Sequence, residues 1–172
     1  MAPRVAPVVP GTRADLAAIE AAIVSERGSV SLLYQVLLNS GPLADGWREL
    51  LTAIRNKSSL PPALREMVIL RVAVLNGAPY EFDAHVPHAK ASGVRDAQLD
   101  ALRAGALDAR FTALERAVLS LTDTMSREVQ VPDSAFEPLR EHFDARALVE
   151  LVATVAAYNM VSRFLEALRI RH

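Results

Sequence analysis

Cysteine is absent from the 172-residue chain. That excludes disulfides, zinc–thiolate sites and every reaction that needs a thiolate nucleophile. Aromatic residues are scarce at 5%, and there are only seven glycines. Strands draw on aromatic and β-branched side chains, so this shortage argues against sheet. Charge of one sign is also missing: 19 Lys and Arg stand against 20 Asp and Glu, for a net charge of −1. No Lys/Arg cluster forms the basic face that a nucleic-acid partner requires, although a single Arg can still bind a small anion. The most apolar stretch, residues 151–162, is uncharged for 12 residues between Glu150 and Arg163 and is too short to span a bilayer. The first eleven residues carry Pro3, Pro7 and Pro10 and lack the apolar centre of a signal peptide. The expectation is a cytoplasmic protein with no membrane partner.

What is present favours helix. Apolar residues make up 51% of the chain, carried mainly by Ala, Leu and Val. Residues 1–11 read as a flexible N-terminal arm, and residues 12–172 as a single all-α domain. Thr12 with Asp15 resembles an N-cap for a helix over 14–25, which Gly28 ends. Further helices are predicted over 30–39, over 43–55 with the sole Trp47, and over 62–76 behind Pro61-Pro62. The next covers 80–92 and ends at Gly93, with Pro87 inside it predicting a kink or a broken hydrogen bond. A short helix follows over 96–103. Thr112 and Glu115 form a capping box for 113–127. Pro132-Asp133 opens a helix to about 143, and Asp144 caps the last one, about 145–169. The segments 63–75 and 149–161 are apolar on most sides. A small bundle has little room for two such helices, so burial between copies in a homo-oligomer is expected.

Few side chains could carry chemistry. Glu81 and His85 lie four apart on one helix face, and a carboxylate beside an imidazole favours the imidazolium and orients it. That arrangement suits a general acid or a proton relay, and it is also an ordinary surface pair. His88 adds a Glu-x3-His-x2-His pattern, but Pro87 disturbs it and no further acidic cluster completes a shell, so no metal is expected. Glu66 has only Pro62, Ala63, Ile69 and Leu70 at helical spacing. It is either solvated or salt-bridged on an exposed stripe with Arg65, or buried, where the carboxylate needs a tertiary partner or its pKa must rise. Tyr80 and Tyr158 are candidate hydroxyl donors. Asn159 and Arg163, four apart in an apolar helix, need a partner such as Glu66, Glu81 or a bound carboxylate, unless they form a structural ion pair across an interface. His142 and His172 lie near helix or chain ends and need no special role.

The run Arg65-Glu66-Met67-Val68-Ile69-Leu70-Arg71-Val72-Ala73, followed by Asn76-Gly77-Ala78-Pro79-Tyr80-Glu81-Phe82-Asp83-Ala84-His85-Val86-Pro87-His88-Ala89 and Gly93-Val94, resembles the carboxymuconolactone decarboxylase family. That superfamily includes the alkylhydroperoxidase D proteins. The likeness extends more loosely through Trp47 and through Ala157-Tyr158-Asn159-Met160-Val161-Ser162-Arg163-Phe164. It implies an alkylhydroperoxidase D-like helical bundle assembled as trimers or hexamers. In the thiol branch a Cys-x-x-Cys pair works with an upstream Glu and a downstream His. Here Ala78 and Glu81 stand at the Cys positions, and Glu66 and His85 at the relay positions. The Tyr-Glu-Phe signature resembles the cysteine-free branch. With no thiolate, thiol peroxidase activity is excluded.

The decarboxylase branch works without a cofactor, so none is expected. In that reading His85 donates the proton, Glu81 orients it and Glu66 is a relay or second acid. Tyr80, His88, Asn159 and Arg163 would bind the substrate, with Arg163 holding a carboxylate. The resemblance thus favours a lyase-type acid/base enzyme acting on a small carboxylated or lactone substrate. The alternative is a non-catalytic, small-molecule-binding helical oligomer with a structural Glu/His/Arg network.

Overall fold

Caps and breakers place the helix ends. The computed structural model describes residues 2–171, so Met1 of the expected arm and His172 lie outside the described residues. Among the described residues the elements are α1 (Ala17–Arg27), α2 (Leu32–Leu37), α3 (Gly41–Asn56), α4 (Pro62–Leu75), α5 (Pro79–Ala91), α6 (Asp96–Arg103), α7 (Ala113–Arg127), α8 (Asp133–Phe136) and α9 (Ala145–Leu168), with no strand. The all-α expectation is met. The Thr112/Glu115 capping box is present in both directions, and the Asp144 carboxylate accepts from the Ala147 N–H at 2.8 Å.

Two local expectations are corrected. Thr12 does not cap a helix: its hydroxyl donates to the Val9 carbonyl, while Arg13 takes the Asp15 carboxylate. The chain therefore starts with a single 3₁₀ turn, Ala14–Leu16, before α1. The helix expected to run from 133 to about 143 is a four-residue α8 followed by a 3₁₀ turn, Glu137–Glu141. Pro138 accounts for the break because it has no N–H to donate to the carbonyl one turn back, although Glu137 before it keeps an α conformation.

The chain forms two compact units. The first comprises Met1–Lys57 and Leu165–His172. In it the N-terminal segment is held by backbone bonds from Arg4 N–H to the Leu168 carbonyl and from Val8 N–H to the Gln35 carbonyl. The Arg48 guanidinium joins Glu26 and Asp45 over the buried Trp47 and Leu51.

The second unit is Ser58–Phe164. Here α4 packs against α5, α6 and α7 around Met67, Leu70, Phe82, Leu102, Phe111 and Leu119. The tight turn Asn76-Gly77-Ala78 joins α4 to α5. Gly77 has φ +61°, a left-handed conformation that a side chain would strain, and the Ala78 N–H returns to the Ala73 carbonyl at 2.9 Å. Pro79 then sits in the first turn of α5. The reversal folds α5 back along α4. Pro87 lies within α5, which continues to Ala91 although the Asp83 carbonyl has no N–H to accept from residue 87.

The start of α4 is clasped to α9 by Glu150. Its Oε2 accepts from the Ser59 N–H at 2.7 Å and the Ser59 hydroxyl at 2.6 Å, and Arg146 lies 2.9 Å from Oε1. The Ser59 bonds, and then Arg146, lower the Glu150 carboxyl from 4.5 to about 2. The folded state therefore prefers the ionised form, and the clasp adds stability that is complete above about pH 4.5 and is lost as pH falls toward about 2. In Glu150→Gln this acid-range component is expected to vanish. Equal pH slopes of thermal stability for wild type and variant between pH 5 and pH 2 would refute it.

Candidate functional site

Glu66 enters from the second turn of α4, and Glu81 and His85 from the first half of α5. All three are buried, at 2%, 4% and 6% exposure. His85 Nδ1 lies 2.8 Å from Glu66 Oε2, across 19 residues of chain. His85 Nε2 lies 3.6 Å from Glu81 Oε1, one helical turn away. The imidazole is thus held between two carboxylates, one against each ring nitrogen. The short contact at Nδ1 places a proton there between acid and base, while Nε2 faces the Glu81 carboxylate across the longer gap.

The surroundings orient the ring further. The Tyr158 ring meets His85 edge-on, with centroids 5.2 Å apart and planes at 88°. Arg65 Nη2 lies 3.5 Å from Glu66 Oε1, on the far side of the carboxylate from His85. Glu66 therefore takes the buried one of the two placements its sequence allowed, with Arg65 beside it. Beyond α5's first turn, a cleft of about 270 Å³ has a floor of Ala78 and Phe82 and a rim of Asp83 and Arg103. Arg103 lies over the Phe82 ring at 4.5 Å. Ala78, at one of the two thiol positions of the resemblance, therefore faces a small-molecule-sized opening.

Of the other expected substrate contacts, Asn159 and Arg163 turn to each other rather than to this trio. Arg163 is exposed, and its Nη1 donates to Asn159 Oδ1 at 2.6 Å on its own helix. Asn159 also accepts from Asn76 Nδ2 and donates to the Ser126 hydroxyl, which ties α9 to α7 and to the α4–α5 turn. This network serves as a brace. His88 is exposed, with its ring 5.7 Å from that of His85, and Tyr80 is half-buried. Among the described residues no group of three or more His, Asp or Glu has the arrangement of a metal site. One contact went unassigned in the sequence, since Tyr158 was only a hydroxyl candidate; the Arg65–Glu66 ion pair was among the expected placements, but on an exposed stripe rather than buried. The Tyr158 contact carries no local signal, since Tyr158 reaches the site from a distant helix.

Comparison with known proteins agrees with this frame. Residues 41–124 match the model of the carboxymuconolactone decarboxylase family, a segment that contains Glu66, Glu81 and His85. The uncharacterized protein YdfG of Bacillus subtilis (strain 168) is 28% identical over 109 residues, covering 62% of this chain and 74% of its own. The crystal structure of an alkylhydroperoxidase AhpD core, an uncharacterized peroxidase-related protein from Ralstonia eutropha JMP134, superposes with a TM-score of 0.82 at 19% identity, covering 98% of this chain and 91% of its own. A variant of the debrominase Bmp8 in complex with 2,3,4-tribromopyrrole has a TM-score of 0.82 at 17% identity, covering 99% and 92%. At such identities the two structures establish the fold alone. Residues 41–124 thus carry the match to the carboxymuconolactone decarboxylase family model, and the chain as a whole has the fold of the AhpD-like structures.

Proposed function

We propose that this protein is a cofactor-free acid/base enzyme of lyase type, acting on a small carboxylated or lactone substrate. The observation that carries the reading is His85 held between Glu66 and Glu81, buried and contacted at both ring nitrogens. Loss of carbon dioxide from a carboxylated lactone leaves a dienolate that must be protonated on carbon. His85 donates that proton from Nε2, Glu66 stabilises the imidazolium through Nδ1, and Glu81 keeps the ring aimed. Water then restores the proton. The cleft over Ala78 and Phe82 supports binding of a small molecule beside α5. The debrominase and peroxidase-related relatives point to other chemistries on this fold, but without cysteine this chain offers no thiolate for a thiol-dependent version of either. The deciding experiment is release of carbon dioxide from a panel of carboxymuconolactones. Turnover of at least one member is expected. Binding of a panel member without turnover of any would replace the enzyme by a small-molecule-binding protein.

The same reading includes a cytoplasmic homo-oligomer, a trimer or hexamer. One helix, Ala145–Leu168, is long and apolar enough to cross a membrane, but half of its most apolar window is buried within the protein, as in a core helix. Its other side carries Val149, 68% exposed, and Met160, 38% exposed, in line with Val152, Ala153 and Ala156. This stripe supports self-association. Val149→Glu, at its most exposed point, is expected to shift the protein toward monomer in sedimentation velocity at micromolar concentration. A wild type that sediments only as monomer would overturn the assembly.

A further inference from the structure

We propose that Arg65 is a positioning residue of this site, holding Glu66 as an anion turned toward His85. The inference rests on the acid/base reading above but names a residue and a role beyond it. Arg65 has one charged partner among the described residues, Glu66, at 3.5 Å. Its side chain is only 12% exposed, and its Nε is buried with no hydrogen-bond partner among the described residues. The guanidinium has therefore been drawn largely out of water, and its single ionic contact is to the carboxylate that faces His85. An arginine so placed keeps its charge, because it does not deprotonate at any ordinary pH. It thus imposes a fixed positive charge on one side of Glu66 while His85 takes the other side.

This has a consequence for the proton. With Arg65 on Oε1, Glu66 stays ionised, and the proton between it and His85 stays on Nδ1. The same positive charge opposes uptake of a further proton by the pair. The groups facing His85 include Glu66 from α4 with Arg65 beside it, Glu81 and His88 from α5, and Tyr158 from α9. Two carboxylates favour the imidazolium, and Arg65 is the fixed cation that limits this effect. The titration belongs to the coupled pair rather than to either residue alone.

The test uses the full chain with ring-labelled histidine and follows His85 by nitrogen–proton NMR from pH 5 to pH 9, with its signals assigned by their loss in His85→Gln. Arg65→Met is expected to raise the His85 titration midpoint by on the order of one pH unit, as removal of the fixed cation beside its Glu66 partner should. Arg65→Lys, which retains the charge, is expected to return it close to the wild-type value. Arg65→Gln, which keeps polarity without charge, serves if the Met variant does not fold, and the same rise is expected. An unchanged midpoint in either neutral variant, with only the melting temperature lowered, would reduce Arg65 to packing and overturn the proposal. The readout needs no turnover. A wild type that releases no carbon dioxide yet shows the shift would refute the enzyme reading and leave the positioning role standing.

Discussion

Asp123→Ala is expected to destabilise the protein by about 3–5 kcal/mol, the range found when one partner of a buried ion pair is removed. Arg71 Nε and Nη2 each lie 2.6 Å from one oxygen of Asp123, in the two-pronged geometry that matches guanidinium to carboxylate. The Arg71 side chain is 3% exposed, and that of Asp123 is 15% exposed. Arg71 cannot shed its charge, and its Nη1 is already buried without a hydrogen-bond partner among the described residues. Without Asp123 it would be a bare cation inside the packing of α4 against α7. Arg71→Met should cost less. Asp123 would then keep Arg127, 3.4 Å away, and some contact with water. The double change Arg71→Met with Asp123→Leu should recover most of the loss, because two apolar side chains replace both charges at once. Urea denaturation of wild type, Asp123→Ala, Asp123→Leu, Arg71→Met and the double variant gives both the cost of the lost partner and the closed cycle. A cost below about 1 kcal/mol for Asp123→Ala would show that the pair behaves as a surface bridge.

Much of the fold could be read along the chain because its signals are local. The capping box at Thr112, the proline start of α4 and the glycine after α5 each act within one turn, and the structure keeps them. Reading failed where two local signals competed. Thr12 had a carbonyl to bond as readily as a helix to cap, and Pro138 broke a segment that Pro132-Asp133 opened as a helix. The site was legible in part. The Glu81–His85 spacing showed a shared face, and the family resemblance added Glu66. No local rule could show that Glu66 is buried, because its partner lies on the next helix beyond a tight turn. Arg163 shows the converse. Its spacing from Asn159 was visible, but the sequence could not show that the guanidinium folds back onto that residue and leaves the trio alone.

Loss of the imidazole should have the largest effect on chemistry. For any panel substrate that wild type turns over, His85→Ala is expected to lower kcat by roughly 10²–10⁴-fold, the usual contribution of a positioned general acid. The geometry predicts which partner changes come next. Glu66→Gln keeps the shape and still offers an oxygen to Nδ1–H, but removes the charge that stabilises the imidazolium. Its loss should fall below that of His85→Ala. Glu81→Gln acts on the looser 3.6 Å contact at Nε2 and should cost least. If the three act as a unit, Glu66→Gln in a His85→Ala background should add almost nothing, since the carboxylate has no ring left to hold. His85→Gln, closer in volume than alanine, separates a packing defect from a chemical one: it should melt near wild type and remain inactive. Additive losses in the Glu66/His85 pair would show that Glu66 works on the substrate directly. Equal rates for wild type and His85→Ala would remove the histidine from the mechanism and leave the buried trio as part of the fold.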